Sequence, residues 1–192
     1  MKGANHNNII FSDECTFQIH SIIKKAWMLQ NTPKKIMMPT HPKKVHVWGC
    51  FSSFGFGSLF IFEDNLNSQI LTQIYKNQLL KSAHKWFGSN LSSWWLLEDN
   101  DPKHTSKFAA NYREQNGIQK LNFPPHSPDL NPIENVWGIM KENISKNQIT
   151  SINDLKRKIK QVWNEFDNEL VVKLCNNFKS QINIVYLNKG KF

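Results

Sequence analysis

Short apolar runs bounded by polar and turn-forming residues occupy the first third of the chain, and this pattern predicts β-strands. The predicted strands are residues 8–12, 16–20, 25–29, 45–51 and 59–62. We expect the second and third to be antiparallel neighbours, and Gly55 and Gly57 to mark the turn before the last. Residues 34–44 are rich in proline and lysine, which predicts a connection. The first part of the chain therefore builds a sheet.

Apolar residues recur at helical spacing in later segments. One helix is predicted after a cap at Asn67 or Ser68, and another after a cap at Thr105 or Ser106, with Gly117 as its stop. The residues predicted to face inward are Ile70, Leu71, Ile74, Tyr75 and Leu79 in the first helix, and Phe108, Ala109 and Tyr112 in the second.

Two further helices are predicted near the C-terminus. Ser151 and Asp154 resemble a capping box before an amphipathic segment, whose polar side carries several basic residues. The basic residues are Lys156, Arg157, Lys158 and Lys160. A last helix is expected around Leu170, Leu174 and Phe178.

Between these segments, the apolar run at residues 94–97 ends abruptly in Glu98-Asp99-Asn100-Asp101-Pro102. Such a run bounded by a turn signal predicts a short buried strand with acids at its C-terminal end. Another short strand is predicted at residues 118–122.

A proline-rich stretch then leads into a helix that carries an acid. Pro132 suits the first helical position and Asn131 is a good N-cap, so Glu134 lies in the first turn. We expect this helix to run to about Ile144.

Composition fits one folded domain and a polyanionic partner. The chain has 192 residues, of which 40% are hydrophobic, and its net charge of +9 suits nucleic acid as well as an ordinary basic surface. The three cysteines are far apart, which excludes a CxxC-type zinc site and a disulfide framework and suits a reducing compartment. No run is long enough to span a bilayer, so we expect a soluble intracellular protein.

The acids suggest metal chemistry. Asp13 follows the apolar residues of the first strand, Asp99 follows a later strand, and Glu134 begins a helix. Three carboxylates from two strands and a helix can hold two hard divalent cations through oxygen ligands. Paired cations of this kind activate a nucleophile and stabilise the leaving oxygen in phosphodiester chemistry.

Three strings, FSDE, EDNDPKHTS and SPDLNPIENVW, resemble the catalytic core of the Tc/mariner superfamily of DDE transposases. Asp13, Asp99 and Glu134 match that family's acid triad, and the 34 residues between the last two match the Tc-like branch. The resemblance covers residues 8–145. It departs from the family at residues 41–44, His-Pro-Lys-Lys, where a glycine-rich segment is common.

The resemblance implies an α/β, RNase H-like fold, with a mixed central β-sheet flanked by helices. Its catalytic domain would span residues 1–192, with a core at about 8–145 and C-terminal helices at about 151–180. Asp13 and Asp99 would lie on adjacent central strands, and Glu134 would reach in from a flanking helix. The family's N-terminal helix-turn-helix DNA-binding domain is expected to be absent, because the chain begins almost at the first catalytic strand.

The implied activity is cut-and-paste DNA transposition. Asp13, Asp99 and Glu134 would ligate two Mg²⁺ or Mn²⁺ ions for DNA cleavage and strand transfer. The implied partners are transposon ends, TA-containing target DNA and a second copy of the chain in a homodimer on DNA. The implied location is the nucleus. A non-catalytic DNA-binding remnant and a structure-specific RNase H-like nuclease are the alternatives.

Several site assignments have local competitors. Glu14 competes with Asp13, since neighbours on a strand point to opposite faces and one of them joins the cluster. Asp101 competes with Asp99, although an acid before proline has an ordinary role in turns. Glu134 also fits a capping box with Asn131. His104 is expected either to order the turn or to contact substrate phosphate, and Asp129 is expected to be a turn residue.

Overall fold

The central strand of the protein is β1, Ile9–Gln18, in a computed structural model that describes residues 6–19, 43–90, 93–121 and 130–187. β1 pairs antiparallel with β2, Lys44–Ser52, which pairs antiparallel with β3, Gly55–Phe62. On its other side, β1 pairs in parallel with β4, Trp95–Leu97. The order β3-β2-β1-β4 therefore gives a mixed four-stranded sheet.

β1 is longer than the sequence predicted. The prediction of a separate antiparallel strand at 16–20 is wrong, because Thr16 continues β1 and pairs with His46 of β2. The strand runs on through Asp13 and Glu14 because Cys15 and Phe17 keep filling the core on the same face as Phe11. The strand predicted at 25–29 lies outside the described residues.

The predicted strands at 45–51 and 59–62 are confirmed as parts of β2 and β3. The short strand predicted at residues 94–97 is confirmed as β4. The segment predicted at 118–122 makes one parallel bridge, Leu96↔Lys120, within the described residues. Leu96 N–H donates to the Gln119 carbonyl at 2.7 Å, and Leu121 N–H donates to the Leu96 carbonyl at 2.8 Å.

Helices cover both faces of the sheet. One face carries α1 (Ser68–Ile74), a π-helical turn (Tyr75–Leu79), α2 (Leu80–Phe87), α3 (Pro102–Thr105) and α4 (Lys107–Gln115). The other face carries α5 (Ile133–Ser145), α6 (Ile152–Asn164) and α7 (Asn168–Leu187). Because side chains alternate along β1, Phe11, Cys15 and Phe17 pack with α5–α7, whereas Ile10 packs with the first group.

Local capping chemistry fixes most of the helix starts. Asn67, Ser106 and Ser151 each accept a hydrogen bond from a backbone N–H of the first turn, as N-caps do. Asn131 does not cap α5, contrary to the prediction: its side-chain amide donates instead to the Ser12 carbonyl at 3.2 Å. Pro132 already has helical backbone angles and directly precedes Ile133.

Phe108 was predicted to face inward, and this prediction is wrong. Its side chain is 54% exposed, while Ala109 on the same helix is fully buried. Periodicity over nine residues leaves the helix phase poorly determined, so that one position was placed on the wrong side. No helix within the described residues has the length and apolarity needed to cross a membrane.

Candidate active site

Asp13 and Glu14 point to opposite faces of β1 and meet different surroundings. Asp13 faces α5, where Trp137 Nε1 donates to its Oδ2 at 3.3 Å. Glu14 faces α3, where its Oε2 lies 3.2 Å from His104 Nε2 and 3.5 Å from Lys103 Nζ. The structure thus separates the two competing acids by the pleat of one strand.

Asp13 lies in surroundings that disfavour its charged form. It is buried, and it makes no ion pair within the described part of the chain. Burial, followed by the nearby charges of Glu14, Glu134 and Asp99, raises the pKa of Asp13 well above its ordinary value. The charges of these three acids thus favour the protonated form of Asp13.

Gly49 makes room for the tryptophan that holds Asp13. Gly49 is the residue of β2 opposite Asp13. A Cβ built on Gly49 would lie 2.8 Å from ring carbons of both Trp137 and Trp163. Since real Cβ atoms essentially never approach that closely, a glycine at this position allows the two stacked indoles to lie against the sheet.

Asp99 lies just beyond β4. Leu97 pairs with Phe11 in parallel, and Asp99 and Asp13 each lie two residues further along the chain from that pair. The Asp99 side chain is 51% exposed. Its Oδ1 accepts a hydrogen bond from Asp101 N–H at 3.1 Å and lies 3.4 Å from His104 Nε2.

Asp101 has the turn role that the sequence predicted. Its side chain caps α3 by accepting from Lys103 N–H at 3.1 Å, and its other oxygen binds Lys103 Nζ at 3.1 Å. The Lys103 interactions outweigh the effect of partial burial and lower the pKa of Asp101. Asp101 is therefore engaged in local structure, while more than half of the Asp99 side chain remains open to solvent.

Glu134 lies in the first turn of α5 and is exposed. Its backbone N–H donates to the Asn131 carbonyl at 3.0 Å. In the part of the chain that the structure describes, no side chain caps this helix, so the capping-box alternative for Glu134 is not found there. Residues 122–129, which include Asp129 and most of the proline-rich stretch, lie outside the described residues.

The donor set of Asp13, Asp99 and Glu134 fits a hard divalent cation, because all of its ligand atoms are carboxylate oxygens. Among the described residues, no three His, Cys, Asp or Glu side chains are drawn together tightly enough to hold a metal ion. Carboxylates repel one another when no cation lies between them. The assignment of these three residues as catalytic metal ligands stays a prediction.

The sequence did not predict a second group of charges, which is buried beneath the Asp99 turn. Glu98 is 1% exposed, and its carboxylate accepts from Tyr75 Oη at 2.5 Å and from Arg113 at 3.1 Å. It also lies 3.0 Å from His104 Nδ1 and 3.4 Å from Lys120 Nζ. The one signal in the sequence was a charged residue directly following the buried strand.

The partners determine the ionisation of this group. Burial would lower the pKa of His104, but hydrogen bonds to Glu14 and Glu98 outweigh it and raise the pKa to about 10. Burial would likewise raise the pKa of Glu98, yet His104, Lys120 and Arg113 hold it below its usual value. His104 contacts Glu14, Glu98 and Asp99, and both of its predicted roles, ordering the turn and contacting substrate phosphate, stay predictions.

Asp13 lies within the central strand β1, whereas Asp99 follows β4, which is the outer strand of the four and not a central one as predicted. A mixed sheet with helices on both faces, and acids on these two adjacent strands, defines a nuclease-type domain of the RNase H-like fold. The chain belongs to the DDE superfamily endonuclease family, whose family model matches residues 8–156. This confirms the resemblance to Tc/mariner transposases that the sequence motifs indicated.

Curated relatives support the same family. The chain is 28% identical to the Tcb1 transposase of Caenorhabditis briggsae over 97% of its own length and 69% of that protein. It is 26% identical to the Tc1 transposase of Caenorhabditis elegans over 88% of its length and 63% of that protein. The chain is thus homologous to the catalytic domain of DDE transposases.

Solved structures confirm the fold. The Mos1 mariner paired-end complex with Mn matches 98% of this chain and 57% of its own, with a TM-score of 0.80 and 18% identity. The catalytic domain of Mos1 mariner transposase matches 97% of this chain and 84% of its own, with a TM-score of 0.75 and 16% identity. At these identities the likeness concerns the architecture alone.

Proposed function

We propose that this chain is the part of a cut-and-paste transposase that cleaves DNA and transfers the cleaved strand. Water attacks a phosphodiester at the transposon end, forming a new P–O bond while the P–O3′ bond breaks. The released 3′-hydroxyl then attacks a phosphodiester of target DNA and displaces its 3′ oxygen. No covalent bond between protein and DNA is required.

Asp13, Asp99 and Glu134 would hold two Mg²⁺ or Mn²⁺ ions. Such ions, when bound, activate the attacking oxygen and stabilise the leaving oxygen. The chain's own part is to present oxygen ligands at the end of the sheet. Trp137 fixes the Asp13 carboxylate on one side, and the Asp101 turn fixes the Asp99 carboxylate on the other.

The observation that supports this proposal most directly is the state of Asp13. Burying a carboxylate without a cationic partner costs free energy, so the position is unfavourable for folding alone. Glu14, the adjacent acid, has His104 and Lys103 as cationic partners for one of its oxygens, which offsets part of this cost. A site that leaves Asp13 uncompensated beside two other acids suits the binding of divalent cations.

The proposed partners are transposon ends, TA-containing target DNA and a second copy of the chain, and the proposed location is the nucleus. The net charge of +9 supports binding to DNA. Some of the solved structural neighbours are transposase complexes with transposon ends. We expect affinity for DNA to fall steeply with salt, as release of counterions requires.

Paired substitutions at Asp99 and Asp101 test the activity. Asp99→Asn keeps the size of the side chain but removes charge from a metal ligand, so it should abolish Mg²⁺-dependent nicking and strand transfer on pre-cleaved ends. Asp101→Asn is the matched control and should stay active, since asparagine also caps helices. DNA binding and melting temperature should be unchanged in both variants. Equal activity of the wild type and Asp99→Asn would refute the proposal, and an inactive wild type would favour a non-catalytic remnant.

A further inference from the structure

The buried charge cluster beneath the Asp99 turn, formed by Tyr75, Glu98, His104, Arg113 and Lys120, has no part in the chemistry described so far. Glu98 and His104 are each 1% exposed, and Arg113 is 9% exposed. Burying ion pairs of this kind is weak evidence of a contribution to stability, since apolar residues of similar volume often serve as well. The contacts that the cluster makes with the Asp99 turn indicate a different role.

His104 is the member that reaches the candidate active site. Its Nδ1 lies 3.0 Å from Glu98, and its Nε2 lies 3.4 Å from Asp99 Oδ1 and 3.2 Å from Glu14 Oε2. With carboxylates at both ring nitrogens, the arrangement suits an imidazolium that donates a proton on each side. One buried ring thus connects the cluster to a proposed metal ligand.

The cluster also holds the main chain around Asp99. Lys120 Nζ donates to the Asp99 carbonyl at 2.7 Å and lies 3.4 Å from Glu98. Arg113 donates to the His104 carbonyl at 2.9 Å and to Glu98 at 3.1 Å. Both the backbone and the side chain of Asp99 are therefore in contact with groups that Glu98 anchors.

We propose that His104 is a positioning residue for Asp99, and that Glu98 is the buried anchor that fixes the His104 ring. This inference rests on the proposed function, since it assumes that Asp99 ligates a divalent cation. Partners of ligating carboxylates orient them, and losing such a partner commonly weakens metal binding or activity by about 10–100-fold. His104 also contacts Glu14, so the carboxylate of Glu14 is paired with a protein group.

Two substitutions at position 104 distinguish the contacts made by the two ring nitrogens. In His104→Asn the shorter amide takes the place of Nδ1, so the contact with Glu98 can remain while the contacts with Asp99 and Glu14 are lost. In His104→Gln the longer amide takes the place of Nε2 and keeps a donor toward Asp99. His84→Asn on α2 is the matched control, because His84 is exposed and contacts the Gly88 carbonyl.

The measurement is the dissociation constant for Mn²⁺, obtained from the electron paramagnetic resonance signal of free Mn²⁺ well below each variant's melting temperature. We expect His104→Asn to weaken Mn²⁺ binding by about 10–100-fold. His104→Gln should weaken it less, and His84→Asn should leave it unchanged. A purely structural role would lower the melting temperature of both His104 variants and leave the Mn²⁺ affinity of the folded protein at its wild-type value.

Asp99→Asn separates failure of this inference from failure of the proposed function. If Asp99→Asn loses Mn²⁺ affinity while His104→Asn keeps it, the positioning role is wrong and the metal site stands. If Asp99→Asn and the wild type bind Mn²⁺ equally, both are wrong. Should the His104 variants fail to fold, Glu98→Gln keeps the shape of the anchor but removes the charge that holds the His104 ring, and unchanged Mn²⁺ affinity in that variant would overturn the inference.

Discussion

The two faces of β1 place neighbouring acids in opposite surroundings. On the face toward α3 and α4, Glu14 and Glu98 are surrounded by cationic side chains at 3.0–3.5 Å. On the face toward α5–α7, Asp13 lies against an aromatic layer and receives one hydrogen bond from Trp137. The first face pairs its carboxylates with cationic protein groups, whereas on the second face no cationic side chain within the described residues pairs with Asp13.

This difference indicates which acids serve the fold and which are free to act. A carboxylate already satisfied by histidine, arginine and lysine gains little from a cation, and its removal leaves buried positive charge behind. A carboxylate that is buried without such partners lowers the stability of the fold, and a bound cation offsets this cost. The same strand can therefore carry a structural acid and a candidate metal ligand side by side.

The largest effect should come from removing the anchor of the neutralised face. Glu98→Leu leaves Arg113, His104 and Lys120 without their shared carboxylate, so the free energy of unfolding should fall by about 3–5 kcal/mol. Glu114→Leu, at an exposed position of α4, should change it by no more than about 0.5 kcal/mol. Urea denaturation measures both free energies. Equal small losses would show that the fold does not depend on Glu98 to neutralise the cationic groups of this face.

Asp13 and Glu14 should respond in opposite ways to loss of charge. Asp13→Asn should reduce Mg²⁺-dependent nicking by at least about 100-fold, more than the loss of an outer partner, while the free energy of unfolding does not fall. Glu14→Gln should keep measurable nicking but lose about 1–3 kcal/mol of stability, because it weakens contacts with His104 and Lys103. Nicking assays and denaturation on both variants test this, and a reversed pattern would exchange the two roles.

Gly49 tests the aromatic layer that holds Asp13. Gly49→Ala places a methyl group against Trp137 and Trp163, so stability should fall by about 1–3 kcal/mol. Gly138→Ala in α5 is the matched control, because its Cβ meets nothing within 4 Å. That substitution in a helix should raise stability by about 0.5–1 kcal/mol. A Gly49→Ala protein as stable as the control would show that the layer adapts freely.

The smallest effect should be in the pH dependence of stability in metal-free buffer. Because the pKa of Asp13 is raised in the folded state, the native protein binds more protons than the unfolded chain between the ordinary value of 3.8 and the higher folded value. Protonation of Asp13 should therefore add stability as pH falls through the folded pKa. Asp13→Asn should remove this contribution, which thermal melting of both proteins across that pH range will show.

Glu98 contributes to the pH dependence with the opposite sign. Its pKa is lowered in the folded state, so its stabilisation is present above the ordinary value of 4.5 and is lost as pH falls through the lower folded pKa. The two faces are thus distinguishable in one titration. A wild-type profile identical to that of Asp13→Asn would contradict the difference between them.

Features that depend on neighbours along the chain could be predicted from the sequence. Asp101 before Pro102 takes its predicted role in the turn, and Ser106 and Ser151 take their predicted capping roles, because these interactions involve residues two or three positions away. The motifs around Asp13, Asp99 and Glu134 indicated the family, since their order and spacing are visible in the linear chain.

Features that depend on partners distant in the sequence are seen only in the tertiary structure. Glu98 looked like a strand-end acid, yet its contacts with Tyr75 and Arg113 cross 23 and 15 residues of sequence. The length of β1 and the side-chain bond of Asn131 to Ser12 likewise depend on contacts that no local pattern contains. Local periodicity determines which residues share a face, but whether a buried charge is neutralised depends on which other segments the fold brings to it.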